Sequence, residues 1–216
     1  MQKPISFYAG FLFDLNGTMI DDMDYHVKAW HDILNNLGAG ISYARAKEEC
    51  YGKNDELLER IFPGRFSAEE KKQMSLAKEE AYQNNFRPQL KLLPGLDQFL
   101  RQAKAAGISM AIGSAAIRYN IDFVLDGLGI RHFFDAIVSA DDVNFSKPNP
   151  ETYLKCAQAL QVNPSKCLVF EDSPKGVESA YRAGMCSAVL LTMHQPEEFD
   201  QNSQVIAYAK DFRPWT

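Results

Sequence analysis

Short apolar runs recur along the chain. Phe7 to Phe13, Ile108 to Ile112, Ala136 to Val138, Cys167 to Phe170 and Ala188 to Leu191 read as buried strands. Most are followed by a loop and then by apolar positions at helical spacing. Ile117 to Leu128, Pro150 to Leu160 and Pro174 to Ala183 are such stretches, and two of them open with a proline near the first turn. Strands that alternate with helices predict an α/β fold with a parallel sheet covered on both faces. In such sheets, sites form beyond the carboxyl ends of the strands.

The alternation breaks once. Between about residues 21 and 87 the pattern predicts helices only, among them Tyr25 to Leu37, Asp55 to Ile61 and Ser67 to Phe86. Ser67 followed by Glu70 reads as a capping box, each side chain bonding the other residue's free backbone N–H. Pro88 and then Leu93-Pro94-Gly95 mark the return to alternation. The expected organisation is a core from residues 1–20 and 88–216, with a helical insert, 21–87, over the carboxyl edge of the sheet.

Composition narrows the function classes. Hydrophobic residues at 46% and charged residues at 24% of 216 describe a globular chain with room for one sizeable core. A net charge of -5 and the lack of a Lys/Arg block argue against a nucleic-acid partner. A small phosphorylated metabolite needs only local positive charge and stays open. Cys50, Cys156, Cys167 and Cys186 are scattered without a C-x-x-C pair, which suggests free thiols in a reducing compartment. No run of 18 apolar residues and no leader-like start is found, so a cytoplasmic monomer without membrane contact is expected.

Polar residues stand where the predicted strands end. Asp14 follows the first strand, Ser114 follows the run ending in Gly113, Lys147 lies in a Ser-Lys-Pro-Asn-Pro loop, and Glu171-Asp172 follow Phe170. Carboxylates at Asp14, Glu171 and Asp172 suit Mg2+, a hard cation that takes carboxylates, waters and substrate phosphate. One of them could also attack phosphorus. Lys147 would offset negative charge, and the Ser114 hydroxyl would donate to a phosphoryl oxygen. Taken singly, each residue also fits a turn or a helix cap. Their joint placement at strand ends favours a site.

This constellation resembles the haloacid dehalogenase superfamily. Phe-Asp-Leu-Asn-Gly-Thr from Phe13, Ile-Gly-Ser-Ala from Ile112, Ser-Lys-Pro-Asn-Pro-Glu from Ser146 and the segment Val169 to Met185 resemble its four ordered motifs. The stretch from Asp21 to Trp30, with the helical insert behind it, is similar to the β-phosphoglucomutase-like branch. The resemblance implies a Rossmann-like core with a helical cap, phosphoryl transfer through Asp14, and Mg2+ held by Asp14, the backbone carbonyl of Asn16, and Asp172, with Glu171 supporting or ligating. It also implies phosphate contacts from the loop containing Gly17 and Thr18, and from Ser114 and Ala115. In the cap it points to His26 and Trp30, one helical turn apart, and to a substrate loop with Gly52 and Lys53.

Two departures shape the expected activity. Phosphatases and mutases of this superfamily carry an acid-base aspartate two residues after the nucleophile, where this chain has Asn16. An amide can bond but cannot exchange protons near neutrality. Asn16 reads as a residue introduced to stall turnover, as a natural one that leaves proton transfer to water, His26 or the leaving group, or as the mark of a binder. Second, Asp55 falls where resembled mutases place a phosphate-holding arginine, and Ala116-Ile117-Arg118 stands where they have a Ser-Lys-Asn run, with Arg118 a candidate phosphate contact. A phosphatase of a small sugar phosphate, weakened by Asn16, is the expected function. A β-phosphoglucomutase and a non-catalytic phosphate-ligand binder are the alternatives.

Overall fold

The computed structural model describes residues 7–200 and 203–216. Residues 1–21 with 91–216 form one compact unit, and residues 22–90 a second. After β1 (Gly10–Phe13) come α1 (Met23–Asn36), α2 (Tyr43–Glu49), α3 (Asn54–Ile61) and α4 (Ala68–Phe86). Then follow α5 (Leu96–Ala105), β2 (Ser109–Gly113), α6 (Arg118–Gly127), β3 (Ala136–Val138) and α7 (Glu151–Leu160). The chain closes with β4 (Cys167–Glu171), α8 (Pro174–Arg182), β5 (Cys186–Leu190) and β6 (Val205–Ala209).

The strands form one parallel sheet in the order β3-β2-β1-β4-β5-β6. This is the Rossmann-like α/β arrangement. The strand order reverses around β1, whose Phe13 pairs with Ile112 on one side and Phe170 on the other. The carboxyl ends of β1, β2 and β4 therefore open on one crevice, the usual ligand position in open α/β sheets.

Side chains alternate across the sheet. Phe11 and Phe13 project to one face, where Phe99, Phe170 and Phe212 join them, and Phe13 stacks on Phe170 with ring centroids 4.8 Å apart. Leu12 projects to the other face, into a cluster with Ala111, Val169, Tyr153, Cys156 and Met185. With both faces covered, the strand reads as a continuous apolar run. Each buried Phe or Leu contributes about 1.5–3 kcal/mol.

The strands differ in detail from the pattern. β1 starts at Gly10 instead of Phe7, although the ladder reaches back one residue: the Ala9 N–H donates to Lys166 O at 2.9 Å. β5 starts two residues earlier than Ala188 because Cys186 pairs with Leu168. The edge strand β6, Val-Ile-Ala-Tyr-Ala, is half-exposed and is not among the apolar runs read as strands.

In the 22–90 unit, Trp30, Leu34, Leu57 and Leu58 form the apolar centre. Ser67 caps α4 as expected, accepting from the Glu70 N–H at 3.3 Å while Glu70 accepts from the Ser67 N–H at 2.8 Å. Unusually, α4 also buries charge: Lys78 and Glu79 are each about 2% exposed.

Candidate active site

β1 carries the chain to Asp14, whose N–H still bonds Phe170 O at 3.0 Å and whose side chain is largely buried. Beyond it the backbone must turn, and Gly17 sits at φ +76°, a conformation glycine adopts without steric cost. The Thr192 hydroxyl donates to Gly17 O at 2.6 Å and ties down this loop. Thr18, fully buried, donates to Asp172 Oδ1 at 3.1 Å.

The neighbouring strands deliver the other groups. Ser114 follows β2, its N–H bonded to Val138 O at 3.0 Å, and its hydroxyl accepts the Ala116 N–H at 3.1 Å. Lys147, on the loop before α7, places Nζ 2.6 Å from Asp14 Oδ1 and 2.7 Å from Glu171 Oε1. Asp14, Glu171 and Asp172 each offer an oxygen within 4.8 Å of the others.

Burial sets the electrostatics. It disfavours the Lys147 ammonium, but Asp14 and Glu171 outweigh that cost and hold its pKa above the ordinary lysine value. Burial likewise opposes the Glu171 carboxylate, yet Lys147 and the hydrogen bonds around it keep its pKa below the ordinary glutamate value. Asp172 differs. Burial, reinforced by the charges of Glu171 and Asp14, raises its pKa well above the carboxylate range, and the Thr18 hydroxyl and Lys147 only partly oppose this. An oxygen-only donor set with surplus negative charge fits a hard divalent cation.

Of the residues anticipated from sequence, Asp14, Lys147, Glu171, Asp172 and Thr18 are joined by direct hydrogen bonds or ion pairs. Asn16 and Gly17 lie in the loop after β1, and Ala115 follows Ser114. The Arg118 guanidinium lies 3.5 Å from Ile137 O and 4.0 Å from the exposed Asp142 carboxylate.

The remaining anticipated residues belong to the 22–90 unit. His26 is buried, with Nδ1 2.6 Å from Lys78 Nζ and Nε2 3.2 Å from Asp22 Oδ2. Trp30 shares that helix face, its ring centroid 5.6 Å from Lys78 Nζ. Gly52 has φ +75°, and Lys53 caps α3, with the Glu56 carboxylate accepting the Lys53 N–H at 3.2 Å.

Sequence reading did not single out Tyr153, Ser173 or Lys78. The Tyr153 hydroxyl donates to Glu171 Oε1 at 2.9 Å, and Ser173 gives Oε2 its N–H at 2.9 Å and its hydroxyl at 3.0 Å. Lys78 sits one turn from Tyr82 in a helix whose exposed faces are also charged, so its burial left no signal in the pattern.

A parallel sheet with an aspartate-lysine-acidic-pair cluster at its switch point is the framework of a phosphoryl-transfer hydrolase. The match to the family model described as haloacid dehalogenase-like hydrolase spans residues 11–190, and the chain belongs to that family. It is 32% identical to Fructose-1-phosphate phosphatase YqaB of Escherichia coli over 178 residues, covering 82% of this chain and 94% of the relative. Hexitol phosphatase B of Escherichia coli is 29% identical, covering 83% of this chain and 82% of that protein. Among solved structures, a β-phosphoglucomutase from Clostridium difficile superposes with a TM-score of 0.83 at 28% identity, covering 97% of this chain and 93% of the other. The chain is accordingly an enzyme of the phosphatase or hydrolase type. Among the described residues, no helix is long and apolar enough to cross a membrane.

Proposed function

We propose that the chain is a Mg2+-dependent phosphatase of a small sugar phosphate and that Asp14 is its nucleophile. The observation that carries this reading is the Lys147 ammonium bridging Asp14 and Glu171 at 2.6 and 2.7 Å, with Asp172 beside them. Mg2+, held by Asp14, the Asn16 carbonyl and Asp172 with Glu171 nearby, would neutralise phosphoryl oxygens and draw the phosphate toward Asp14.

The Asp14 carboxylate attacks phosphorus, the ester P–O bond breaks, and the sugar alkoxide leaves. Lys147, paired with Asp14, meets the charge on the equatorial oxygens, while Ser114 and the backbone N–H groups of residues 15–18 hold the phosphoryl group. Water then attacks the aspartyl-phosphate, releasing phosphate and restoring Asp14. Asn16 cannot supply or remove the protons in either step, so they pass through solvent. Positioned acid-base catalysis is worth about 10²–10⁴-fold, and that is the expected deficit.

The names of the relatives suggest the panel: fructose 1-phosphate, hexitol phosphates and β-glucose 1-phosphate, each with Mg2+. Phosphate release by the chain is expected to rise about 10²–10⁴-fold in Asn16→Asp and to vanish in Asp14→Asn. If Asn16→Asp binds these esters yet releases no phosphate from any of them, the protein is a binder. Conversion of β-glucose 1-phosphate to glucose 6-phosphate with little free phosphate would make it a mutase. Asp55, at the start of α3, speaks against the mutase, because a carboxylate there repels a second phosphate.

A further inference from the structure

We propose that Tyr153 is a positioning residue of the reaction: its hydroxyl holds the Glu171 carboxylate and its ring flanks the Lys147 ammonium, so that the lysine stays directed at Asp14. This rests on the reading of Asp14 and Lys147 given above. Tyr153 lies in the first turn of α7 and is fully buried. Its hydroxyl donates at 2.9 Å to Glu171 Oε1, the same oxygen that accepts from Lys147 at 2.7 Å. Its ring centroid is 4.7 Å from Lys147 Nζ, within cation-π range.

The rest of the carboxylate is equally constrained. Oε2 accepts the N–H groups of Asp172 and Ser173, each at 2.9 Å, and the Ser173 hydroxyl at 3.0 Å. Oε2 fixes the carboxylate to the start of α8, and Tyr153 fixes Oε1 from the side of α7. Lys147, which bridges Oε1 and Asp14, is thereby set between two rigid elements. A phenol facing a carboxylate oxygen at 2.9 Å donates and the carboxylate accepts. A phenylalanine would fill the same space, and what the hydroxyl adds is the bond to Glu171.

Two glycines make room for this arrangement. A Cβ on Gly113, at the end of β2, would lie 3.2 Å from the Tyr153 ring and 2.9 Å from Cys156 Sγ. A Cβ on Gly176 would lie 1.7 Å from Glu171 Oε1. Glu171 could not keep its place beside a larger residue at 176, and one at 113 would press on Cys156 and crowd the Tyr153 ring.

Tyr153→Phe removes the hydroxyl and keeps the ring, whereas Tyr153→Leu removes both. Hydrolysis of para-nitrophenyl phosphate and of the sugar phosphates above is expected to lose about tenfold in kcat in the first and about a hundredfold in the second. KM should change less than about twofold. A second readout does not need turnover: the 15Nζ order parameter of Lys147, its signal assigned by loss in Lys147→Met, should fall in Tyr153→Phe. An unchanged kcat per folded molecule, or an unchanged Lys147 order parameter, overturns the proposal. If the unsubstituted chain hydrolyses no phosphomonoester, the phosphatase reading fails. The order parameter alone then decides for Tyr153: a fall supports it and constancy overturns it.

Discussion

Glu171 occupies the space that a side chain at position 176 would need, its Oε1 lying 1.7 Å from where a Cβ on Gly176 would stand. The last residue of β4 and the first turn of α8 are thus packed against each other through the carboxylate that accepts from Lys147. Two effects oppose each other in Gly176→Ala. Helix propensity favours alanine by up to about 1 kcal/mol, while overpacking a filled site costs about 1–3 kcal/mol. The clash should win, lowering stability and displacing Glu171. Urea unfolding with a parallel assay checks this, and a more stable variant of full activity would show that Glu171 yields without consequence.

Lys147 and its two carboxylate partners are all largely buried. Removing one member of a buried pair leaves uncompensated charge and costs about 3–5 kcal/mol. Lys147→Met is therefore expected to unfold at clearly lower urea concentration. It should also lose about 10²–10³-fold in kcat, the scale for one lost oxyanion donor. A variant equally stable and equally active would remove Lys147 from the site.

The surplus negative charge around Asp172 predicts that Mg2+ stabilises the fold. At a hundred times its dissociation constant, a ligand that binds only the native state adds about 2.7 kcal/mol. Thermal unfolding with and without Mg2+ should show this gain in the chain as it is and little of it in Asp172→Asn. The same Mg2+ response in both proteins would count against Asp172 as a ligand.

Glu79 makes the 22–90 unit sensitive to acid. Burial opposes its charge, but Lys78, His26 and the Asn54 amide outweigh that and hold its pKa below the ordinary 4.5. A depressed carboxylate pKa adds stability above the unfolded-state value, and that stability drains away as pH falls through the folded-state value. Urea melts of the chain and of Glu79→Gln between about pH 6 and about pH 3.5 should show a shallower acid limb in the variant. Identical limbs would mean that Glu79 takes no part.

Much of this was open to sequence reading because local rules carry it. Five of the six strands follow from apolar runs, and Asp14, Ser114 and Glu171-Asp172 stand at the carboxyl ends of three of them. β6, although its residues Val205–Ala209 are all apolar, is not among the runs read as strands, and it lies half-exposed at the sheet edge. The place of Arg118 after Ser114 gave no hint of Asp142, whose carboxylate lies 4.0 Å from its guanidinium.

The amino-acid sequence by itself determined the alternation of strands and helices, the helical insert, the capping of α4 and the identity of the acidic and basic groups at the strand ends. Each of these depends on neighbours within one or two turns. The tertiary structure alone decided that Tyr153 reaches Glu171 across 18 positions, that Thr18 reaches Asp172 across 154, and that His26 meets Lys78 across 52. Those contacts depend on strand register and on how helices pack, which set where distant backbone segments converge. Only there do two glycines become clearances and a buried tyrosine a neighbour of both Glu171 and Lys147.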